Sequence, residues 1–389
     1  MEKLYEFFKT KLNRVNTDFH RYKYDSIRWS ARFFGIVGPR GVGKSTMILQ
    51  YIKDNLNTSD TLYVTADHLY FSEHKLIDLA DMFVKMGGKH LFIDEIHTYP
   101  GWSRELKQIY DSFDDLQVVI TGSSILDIYD GLADLSRRVP LYHMQGMSFR
   151  EYLRLIHNIN VPIFSLEEIL QNKAEIPGIQ HPLPLFRQYL KAGYFPFCKD
   201  EEYGIELLQV ITQTMEIDIP QHIGANVAVG KKLLKLLSII SKSVPFKPVI
   251  QHLAEMTNIS RNDIPSYLTY MEKAGVISQL RSGTGGLREL GKIEKIYIDN
   301  TDFIYALAQE APNVGNIRET FFMNQMRVNH IVTNSKISDF EIDGKTFEIG
   351  GKNKAQKQIK ETTDGYIVKD DIEIGFGNII PLWAFGLNY

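Results

Sequence analysis

The stretch that decides the fold is RFFGIVGPRGVGKST, residues 32–46. It opens with a short apolar run typical of a strand, continues through GPRGVGKS, which fits G-x-x-x-x-G-K-[ST], and leads into MILQYI, which has helical character. The three glycines let backbone amides turn inward, and the following helix N-terminus adds partial positive charge. The strand, loop and helix together predict a phosphate-binding loop rather than a glycine-rich turn that matches by chance.

The residue types in this loop predict its ligands. Lys44 would reach the β- and γ-phosphates of a nucleotide, and the Ser45 hydroxyl would hold Mg²⁺. We therefore expect ATP and Mg²⁺ to bind here. The residues expected to surround the nucleotide are Gly38, Pro39, Arg40, Gly41, Val42, Gly43, Lys44, Ser45 and Thr46.

A pair of carboxylates ends the apolar run HLFIDE, residues 90–95. Asp94 would hold the metal, and Glu95 would orient and deprotonate the attacking water. Asp94 follows Lys44 by 50 residues, with one further strand, TLYVTA, between them, and this spacing strengthens a pattern that is weak on its own. The alternative for Glu95 is a solvated loop acid, and we prefer the catalytic interpretation.

Hydroxyl residues end the fourth apolar run, LQVVITGSS, residues 116–124. In ATPases with an added central strand, a polar residue at this place contacts the γ-phosphate or the lytic water. Thr121 and Ser123 are the candidates, and ordinary turn chemistry after a strand explains either residue equally well.

Two adjacent arginines, Arg137 and Arg138, precede an expected fifth strand in DLSRRVPLYHM. Arginines near a nucleotide neutralise charge in the transition state, from the same subunit or from a neighbour. The alternative is an exposed surface pair, and the position after the fourth strand favours a functional role.

Composition limits the class of protein. At 389 residues the chain predicts two or three domains, and its 44% hydrophobic and 23% charged content is typical of soluble globular proteins. Cys198 is the only cysteine, which excludes an intrachain disulfide and a cysteine-based zinc site. The first residues lack the apolar core of a signal peptide, and the most apolar stretch, LLKLLSIISKSV, is too short to span a bilayer. We expect a cytoplasmic protein without a membrane segment.

Taken together, GPRGVGKST, FIDEIHTYPGW, VITGSS, LSRR and GMSFREYL resemble a group of prokaryotic AAA-type ATPases. Their C-terminal region is a domain of unknown function, described as winged-helix and restriction-endonuclease-like. The resemblance extends along nearly the whole chain. It implies that the fourth strand lies between the strand that ends in Asp94 and the strand that precedes the phosphate-binding loop. It also favours Arg138 over Arg137, because Arg137 stands where many relatives have glycine. It implies no known substrate.

The regions around the ATPase motifs have their own patterns. The first 30 residues predict an amphipathic helix, SFRE at 148–151 predicts a capping box, and the prolines of 158–185 predict a linker. From residue 231, three helical patterns and two strand-like runs predict a winged helix. Residues 200–230 carry six acidic and no basic residues, whereas residues 231–300 carry eleven basic and six acidic ones. DNA is therefore one candidate partner of the winged helix, and a protein is at least as good a candidate.

By the same resemblance, the last ninety residues form a nuclease-like module. The residues that would bind Mg²⁺ and activate water there are Glu319, Asp339, Glu348 and Lys352. The usual lysine stands two residues after the acid, where this chain has Gly350, and Gly350-Gly351 invites a bulge. We therefore prefer a degenerate module that is kept as a scaffold.

The expected fold is α/β, with a parallel P-loop sheet covered by helices on both faces and followed by a helical, winged-helix region and an α+β nuclease-like module. The expected segments are an N-terminal helical extension (1–30), an AAA-type ATPase core (31–160), a helical linker or lid (161–228), a winged-helix domain (229–300) and the nuclease-like module (301–389).

The predicted function is ATP hydrolysis that drives or gates a conformational change coupled to an unknown target through the C-terminal domains. Self-association, with an arginine supplied in trans, is expected to accompany it. The alternative is a nucleotide-gated DNA-binding protein or nuclease with slow ATP turnover. A GTPase is disfavoured because the sequence lacks N-K-x-D, and a small-molecule kinase is a weaker rival because Glu95 beside Asp94 suits water activation.

Overall fold

The computed structural model describes residues 1–123, 128, 138–243, 245, 249–283, 292–308, 310–353 and 364–389. The chain divides into two units, Met1–Gln145 and Gly146–Tyr389. None of the helices in the described part of the chain is long and apolar enough to cross a lipid bilayer.

A five-stranded parallel sheet forms the centre of the first unit. Its strands are β1 (Phe33–Val37), β2 (Thr61–Thr65), β3 (His90–Asp94), β4 (Gln117–Gly122) and β5 (Leu141–His143). Their order is β2-β3-β4-β1-β5, so β4 separates β3 from β1 and the strand order implied by the resemblance is confirmed. The first four strands are almost entirely buried, as expected for a parallel sheet that is covered on both faces. In a parallel sheet the carboxyl ends of the strands share one edge, and β1 and β3 deliver the loop at 38–43 and Asp94 to that edge.

The helices of the first unit are α1 (Glu2–Arg14), α2 (Lys44–Asn55), α3 (Leu76–Lys85) and α4 (Trp102–Ser112). The prediction of a helix over residues 1–30 was wrong beyond Arg14. Val15 is extended, and the Asn16 side chain accepts a 2.6 Å hydrogen bond from the amide of Asp18. Such local bonds compete with helical hydrogen bonds and end the helix. The remainder of this segment, residues 15–30, runs irregularly except for the short 3₁₀ turn Tyr24–Ser26.

The second unit begins with helices. They are α5 (Phe149–His157), α6 (Leu166–Leu170), α7 (Leu183–Lys191), α8 (Tyr203–Gln213), α9 (Ile219–His222), α10 (Val227–Ser243), α11 (Ile250–Thr257), α12 (Ile264–Lys273), α13 (Thr301–Leu307) and α14 (Val314–Met326). The predicted capping box is confirmed, because Ser148 and Glu151 exchange both hydrogen bonds at the start of α5. The predicted linker contains α6 and reaches the first turn of α7.

Two sheets complete the second unit. The strands β6 (Ile277–Arg281) and β7 (Ile293–Ile298) form an antiparallel pair. The other sheet has the order β12-β11-β10-β9-β8, with β8 (Thr333–Asn334), β9 (Phe340–Ile342), β10 (Lys345–Gly350), β11 (Gly365–Lys369) and β12 (Ile379–Pro381). After β12 the chain continues in a wholly apolar run, Leu382–Leu387, which is a fully buried 3₁₀ helix rather than a strand. A short, wholly apolar run fits a buried strand and a buried helix equally well.

A buried carboxylate joins two segments of the second unit. Asp302, at the start of α13, has no exposed surface and accepts hydrogen bonds from the amides of Gly193 and Tyr194 at 3.1 and 2.9 Å and from the Tyr203 hydroxyl. Burial raises the pKa of Asp302 to about 7, although these hydrogen bonds oppose the shift. The turn in YLKAGYFPF is thus held by a side chain more than a hundred residues away.

Candidate nucleotide site

The loop between β1 and α2 is shaped by two glycines. Gly43 has φ of 95° and forms the N-cap of α2, a left-handed conformation that glycine adopts without strain. A Cβ atom on Gly38 would collide with the backbone carbonyl oxygen of Met144. The nine residues predicted to surround the nucleotide therefore form one turn, Gly38–Gly43, followed by the first residues of α2.

Lys44 folds back onto its own loop. Its ammonium group donates hydrogen bonds of 2.8 and 2.9 Å to the backbone carbonyl oxygens of Gly38 and Pro39, and the residue is 5% exposed. Burial lowers the pKa of Lys44 to about 8, and the negative charges of Glu95 and Asp94 oppose this shift. The ammonium is thus held by backbone carbonyls and by the more distant charge of two carboxylates, so an anionic ligand in the loop would stabilise it.

Both carboxylate oxygens of Asp94 accept hydrogen bonds. The Tyr63 hydroxyl donates to Oδ2 at 2.6 Å, and the Thr121 hydroxyl donates to Oδ1. The hydroxyl of Ser45 and the carboxylate of Asp94 are oxygen ligands of the kind that Mg²⁺ prefers, so the residues present fit a magnesium ion.

Glu95 follows β3 in a left-handed conformation, with φ of 50°. Its carboxylate accepts a 2.9 Å hydrogen bond from the Ser123 hydroxyl, and the same oxygen, Oε2, lies 3.4 Å from Nδ1 of His97. Its amide donates to the Thr121 hydroxyl at 3.2 Å. Both hydroxyl residues thus contact the acidic pair. Thr121 bonds to the Asp94 carboxylate and the Glu95 amide, and Ser123 bonds to the Glu95 carboxylate.

The predicted arginine lies elsewhere in the unit. Nε of Arg138 is 3.6 Å from a carboxylate oxygen of Asp111, and its guanidinium carbon is 5.5 Å from the centre of the Tyr110 ring. The guanidinium of Arg32, directly before β1, lies 4.4 Å from the same ring. Arg138 therefore lies at the amino-terminal edge of the sheet, opposite the edge that carries Lys44 and Asp94. Arg137 falls outside the described residues.

Sequence reasoning missed Arg21, which contacts the loop from the irregular segment after α1. Its guanidinium donates to the backbone carbonyl oxygens of Val42 and Gln145, the latter at 2.7 Å, and it is 4% exposed. The same segment is fixed to α2, because Gln50 donates to the carbonyl oxygens of Asn16 and Phe19 at 2.7 and 2.8 Å. We refer to residues 15–24 as the strap. No motif in the sequence indicates that the strap reaches the loop.

A cavity of about 460 Å³ lies beside Asp94, on the side of β2. Its wall includes the rings of Phe7 and Tyr63, which are nearly parallel with centroids 6.4 Å apart. The residues that line it are Phe7, Lys11, Tyr63, Thr65, Asp67, His68, Leu69 and Asp94. The cavity therefore adjoins the expected metal site without including the phosphate-binding loop.

The C-terminal candidates meet at a lysine that the sequence did not single out. Nζ of Lys295, on β7, lies 3.4 Å from carboxylate oxygens of both Glu319 and Asp339. Burial raises the pKa of Glu319, and the nearby Asp339 adds to this shift while Lys295 opposes it. Glu348 instead accepts a hydrogen bond from the Ser338 hydroxyl. The backbone carbonyl oxygen of Lys352 accepts a 3.1 Å hydrogen bond from the Lys369 ammonium.

Metal-binding geometry is not found at this cluster. Among the residues that the structure describes, no group of three or more histidine, cysteine or acidic side chains is arranged to hold a metal ion. The lysine ammonium lies between the two carboxylates and neutralises them.

Two segments of the chain match known families. Residues 30–153 match the family described as AAA domain. This segment contains the loop, Asp94, Glu95 and Arg138, so the candidate nucleotide site lies within the part of the chain that matches this family. Residues 183–314 match a family described as Domain of unknown function (DUF8612). This second match does not confirm the predicted winged-helix and nuclease-like modules.

Curated relatives have no described function. The chain is 24% identical over 314 residues to uncharacterized protein MJ1637 of Methanocaldococcus jannaschii, and the alignment covers 73% of this chain and 66% of that protein. It is 25% identical over 347 residues to uncharacterized protein MJ1544 of the same organism, covering 83% and 73%. The chain thus spans slightly less than two thirds of the first relative.

Two solved structures illustrate a distant similarity. C. elegans PCH-2 is 17% identical, with 60% of this chain and 67% of that chain covered and a TM-score of 0.30. The S. cerevisiae Hsp104-ADP complex is 14% identical, with 70% and 40% covered and a TM-score of 0.32. Similarities of this size do not bear on the function.

Proposed function

We propose that this protein is an ATPase of the AAA type that hydrolyses ATP with Mg²⁺ and couples hydrolysis to a conformational change acting on a target through residues 146–389. One observation carries the proposal. Lys44, Asp94 and Glu95 share one edge of the parallel sheet, and the hydroxyls of Thr121 and Ser123 bond both carboxylates. This arrangement lies within the segment that matches the AAA domain family.

Each residue has a distinct task in hydrolysis. The backbone amides of the loop and the Lys44 ammonium bind the phosphates. Ser45 and Asp94 would hold Mg²⁺, which would supply positive charge to the phosphate oxygens. Glu95 accepts the proton of the attacking water, and Ser123 orients its carboxylate. Arg138 acts on the nucleotide of a neighbouring subunit, because its own sheet separates it from its own loop.

Water suits this site better than a small molecule as the acceptor of the γ-phosphoryl group. Ser123 and His97 hold the carboxylate of Glu95 on the same edge as Lys44, where a water beside the γ-phosphate would meet a base. A kinase would also need a defined site for its acceptor. The cavity beside Asp94 does not meet this need, since neither Glu95 nor Lys44 lines it.

The second unit carries the target-binding function. The helices α10 to α12 with the β6–β7 pair follow the order of a winged helix, and basic residues of this region offer a surface for DNA or for an acidic protein surface. The cluster of Glu319, Asp339 and Lys295 acts as a scaffold, because the ammonium already neutralises both carboxylates. We therefore favour an ATPase over a nuclease.

The test is ATP turnover by Glu95→Gln. The amide keeps the shape of the side chain but cannot take a proton, so we expect bound ATP with hydrolysis lowered by about 10²–10⁴-fold. Glu73→Gln, an exposed change in the same unit, is the matched control and should leave turnover unchanged. Lys44→Ala should lose ATP binding itself, because it removes the main positive side chain of the loop.

Two results would contradict the proposal. Turnover of Glu95→Gln within about tenfold of the unmodified protein would exclude Glu95 as the base. Unchanged ATP affinity of Lys44→Ala, measured by direct titration, would exclude the loop as the nucleotide site. Repeating the assay with duplex DNA separates the alternatives, because cleavage of DNA or strong stimulation of turnover supports the nucleic-acid-directed function.

A further inference from the structure

Tyr63 is placed by the register of two strands beside the predicted metal ligands. On β2, Tyr63 pairs with Phe92 of β3, and Thr65, two residues further, pairs with Asp94. Side chains two residues apart on a strand point to the same face, so Tyr63 and Asp94 share one face of the sheet. Tyr63 is 3% exposed, and its hydroxyl lies 2.6 Å from Oδ2 of Asp94.

The direction of this hydrogen bond follows from the chemistry of the two groups. A carboxylate only accepts, so the Tyr63 hydroxyl donates its proton to Oδ2 of Asp94. The Thr121 hydroxyl donates to the other oxygen, Oδ1, so both oxygens of the carboxylate are held by hydroxyl groups from the neighbouring strands.

We propose that Tyr63 is a positioning residue of the metal site, whose hydroxyl holds the Asp94 carboxylate in the orientation that binds the metal. This inference rests on the proposed ATP- and Mg²⁺-binding function and extends it to a residue outside the loop and the acidic pair. Groups that bond to metal ligands orient them, and their removal typically weakens metal binding by about 10–100-fold.

The N-terminal helix sets the position of this tyrosine. The ring of Phe7 stacks on Tyr63 with centroids 6.4 Å apart and planes 11° from parallel, and the Phe8 ring lies 6.5 Å away. Beyond the ring lies the cavity, so α1 is the element that keeps Tyr63 against Asp94. A substitution in α1 that loosens this contact should therefore alter the metal site without changing a residue that binds the metal.

Tyr63→Phe tests the inference, because it removes one oxygen atom and keeps the ring. Binding of a fluorescent ATP analogue is titrated first in EDTA and then at increasing Mg²⁺. We expect unchanged affinity in EDTA, and a Mg²⁺ concentration for half-maximal tight binding that rises by about tenfold or more. Tyr51→Phe is the matched control, since Tyr51 lies in the same unit and stacks on Trp29 with a centroid distance of 3.9 Å.

A role limited to packing predicts a different result. It would change the affinity in EDTA as much as in Mg²⁺, or would lower the melting temperature alone, and either pattern overturns the proposal. An unchanged Mg²⁺ requirement overturns it as well. Phe7→Leu is the second variant, which keeps the hydroxyl and loosens the ring, and it should raise the Mg²⁺ requirement less than Tyr63→Phe does. If the unmodified protein binds no nucleotide, the proposed function fails, and this outcome is distinct from a failure of Tyr63 alone.

Discussion

The hydroxyl of Ser123 donates a 2.9 Å hydrogen bond to Oε2 of Glu95. The amide of Ser123 points to the same oxygen at 3.4 Å, and His97 approaches it at 3.4 Å. Glu95 itself occupies a left-handed backbone conformation, which is uncommon for a residue other than glycine. The carboxylate is therefore held by the end of β4 rather than by its own strand, and the spacing of β3 and β4 sets its direction.

Ser123→Ala tests whether the Ser123 hydroxyl orients the Glu95 carboxylate. Without the hydroxyl, Glu95 keeps its charge but loses the contact that orients it, so we expect kcat to fall by about tenfold, the loss of one hydrogen bond to a charged group. ATP affinity should stay unchanged, because the bond acts on the chemical step. Ser123→Thr, which keeps a hydroxyl, should restore most of the activity. A kcat that rises in Ser123→Ala would show that the bond restrains Glu95 instead.

The nucleotide site could be predicted from the sequence because its chemistry lies in contiguous residues. A glycine-rich turn, a lysine and a hydroxyl must follow one another to surround phosphates, and a pair of acids must end one buried strand. The order of the strands followed from the family resemblance.

The residues that the sequence did not reveal depend on register and on the path of the chain. Tyr63 reaches Asp94 only because β2 pairs with β3 in one register. Lys295 meets Glu319 and Asp339 from a different sheet, so spacing along the C-terminal strands could not indicate it. Arg21 reaches the loop through an irregular segment, and irregular segments have no periodicity to read.

Arg21→Ala should weaken nucleotide binding. The change leaves the backbone carbonyl of Val42 without its guanidinium donor and frees the strap from the loop. We expect ATP affinity to fall by about tenfold or more, since a hydrogen bond to a charged group typically contributes ~1.5–3 kcal/mol. The ATP affinity of Arg21→Lys should lie between those of Arg21→Ala and the unmodified protein, because one ammonium cannot reach both carbonyls as the forked guanidinium does. Arg14→Ala, an exposed change on α1, is the control. Equal affinities for all three variants would contradict a role for the strap.

Asp302→Asn should change the pH dependence of stability. The pKa of Asp302 is about 7 in the folded protein, above the ordinary value of an unfolded chain. Between these two pKa values the folded state binds a proton that the unfolded state does not, so stability falls as pH rises from about 4 to about 7. The amide introduced by this substitution cannot ionise, and its oxygen can still accept from Gly193 and Tyr194.

Urea unfolding at about pH 5 and about pH 7.5 measures the effect. We expect the stability lost between these pH values to be smaller in Asp302→Asn by on the order of 2 kcal/mol. Asp200→Asn, an exposed change close by in sequence, should leave the pH dependence unaltered. If Asp302→Asn and Asp200→Asn lose the same stability as the pH rises, Asp302 is ionised in the folded protein throughout this range.

The position of Arg138 favours a role in a neighbouring subunit. The guanidinium lies at the amino-terminal edge of the sheet, against Tyr110 and Asp111. The five-residue strand β1 separates this edge from the loop, a length of about 16 Å at ~3.3 Å per residue, more than the reach of an arginine side chain. Ion pairs at a protein surface are weak, so the guanidinium can exchange Asp111 for a phosphate.

Arg138→Ala should lower kcat with little change in ATP affinity, because the contact forms mainly in the transition state. Arg104→Ala, an exposed change on α4, is the control and should be inert. Mixing tests the origin of the arginine. Arg138→Ala subunits supply an intact base and Glu95→Gln subunits an intact arginine, so mixed assemblies should regain turnover that neither variant has alone. Co-assembled particles without recovered activity would favour a role within one subunit, and full activity in a strictly monomeric protein would exclude the neighbour, because in a monomer no second chain can supply the guanidinium.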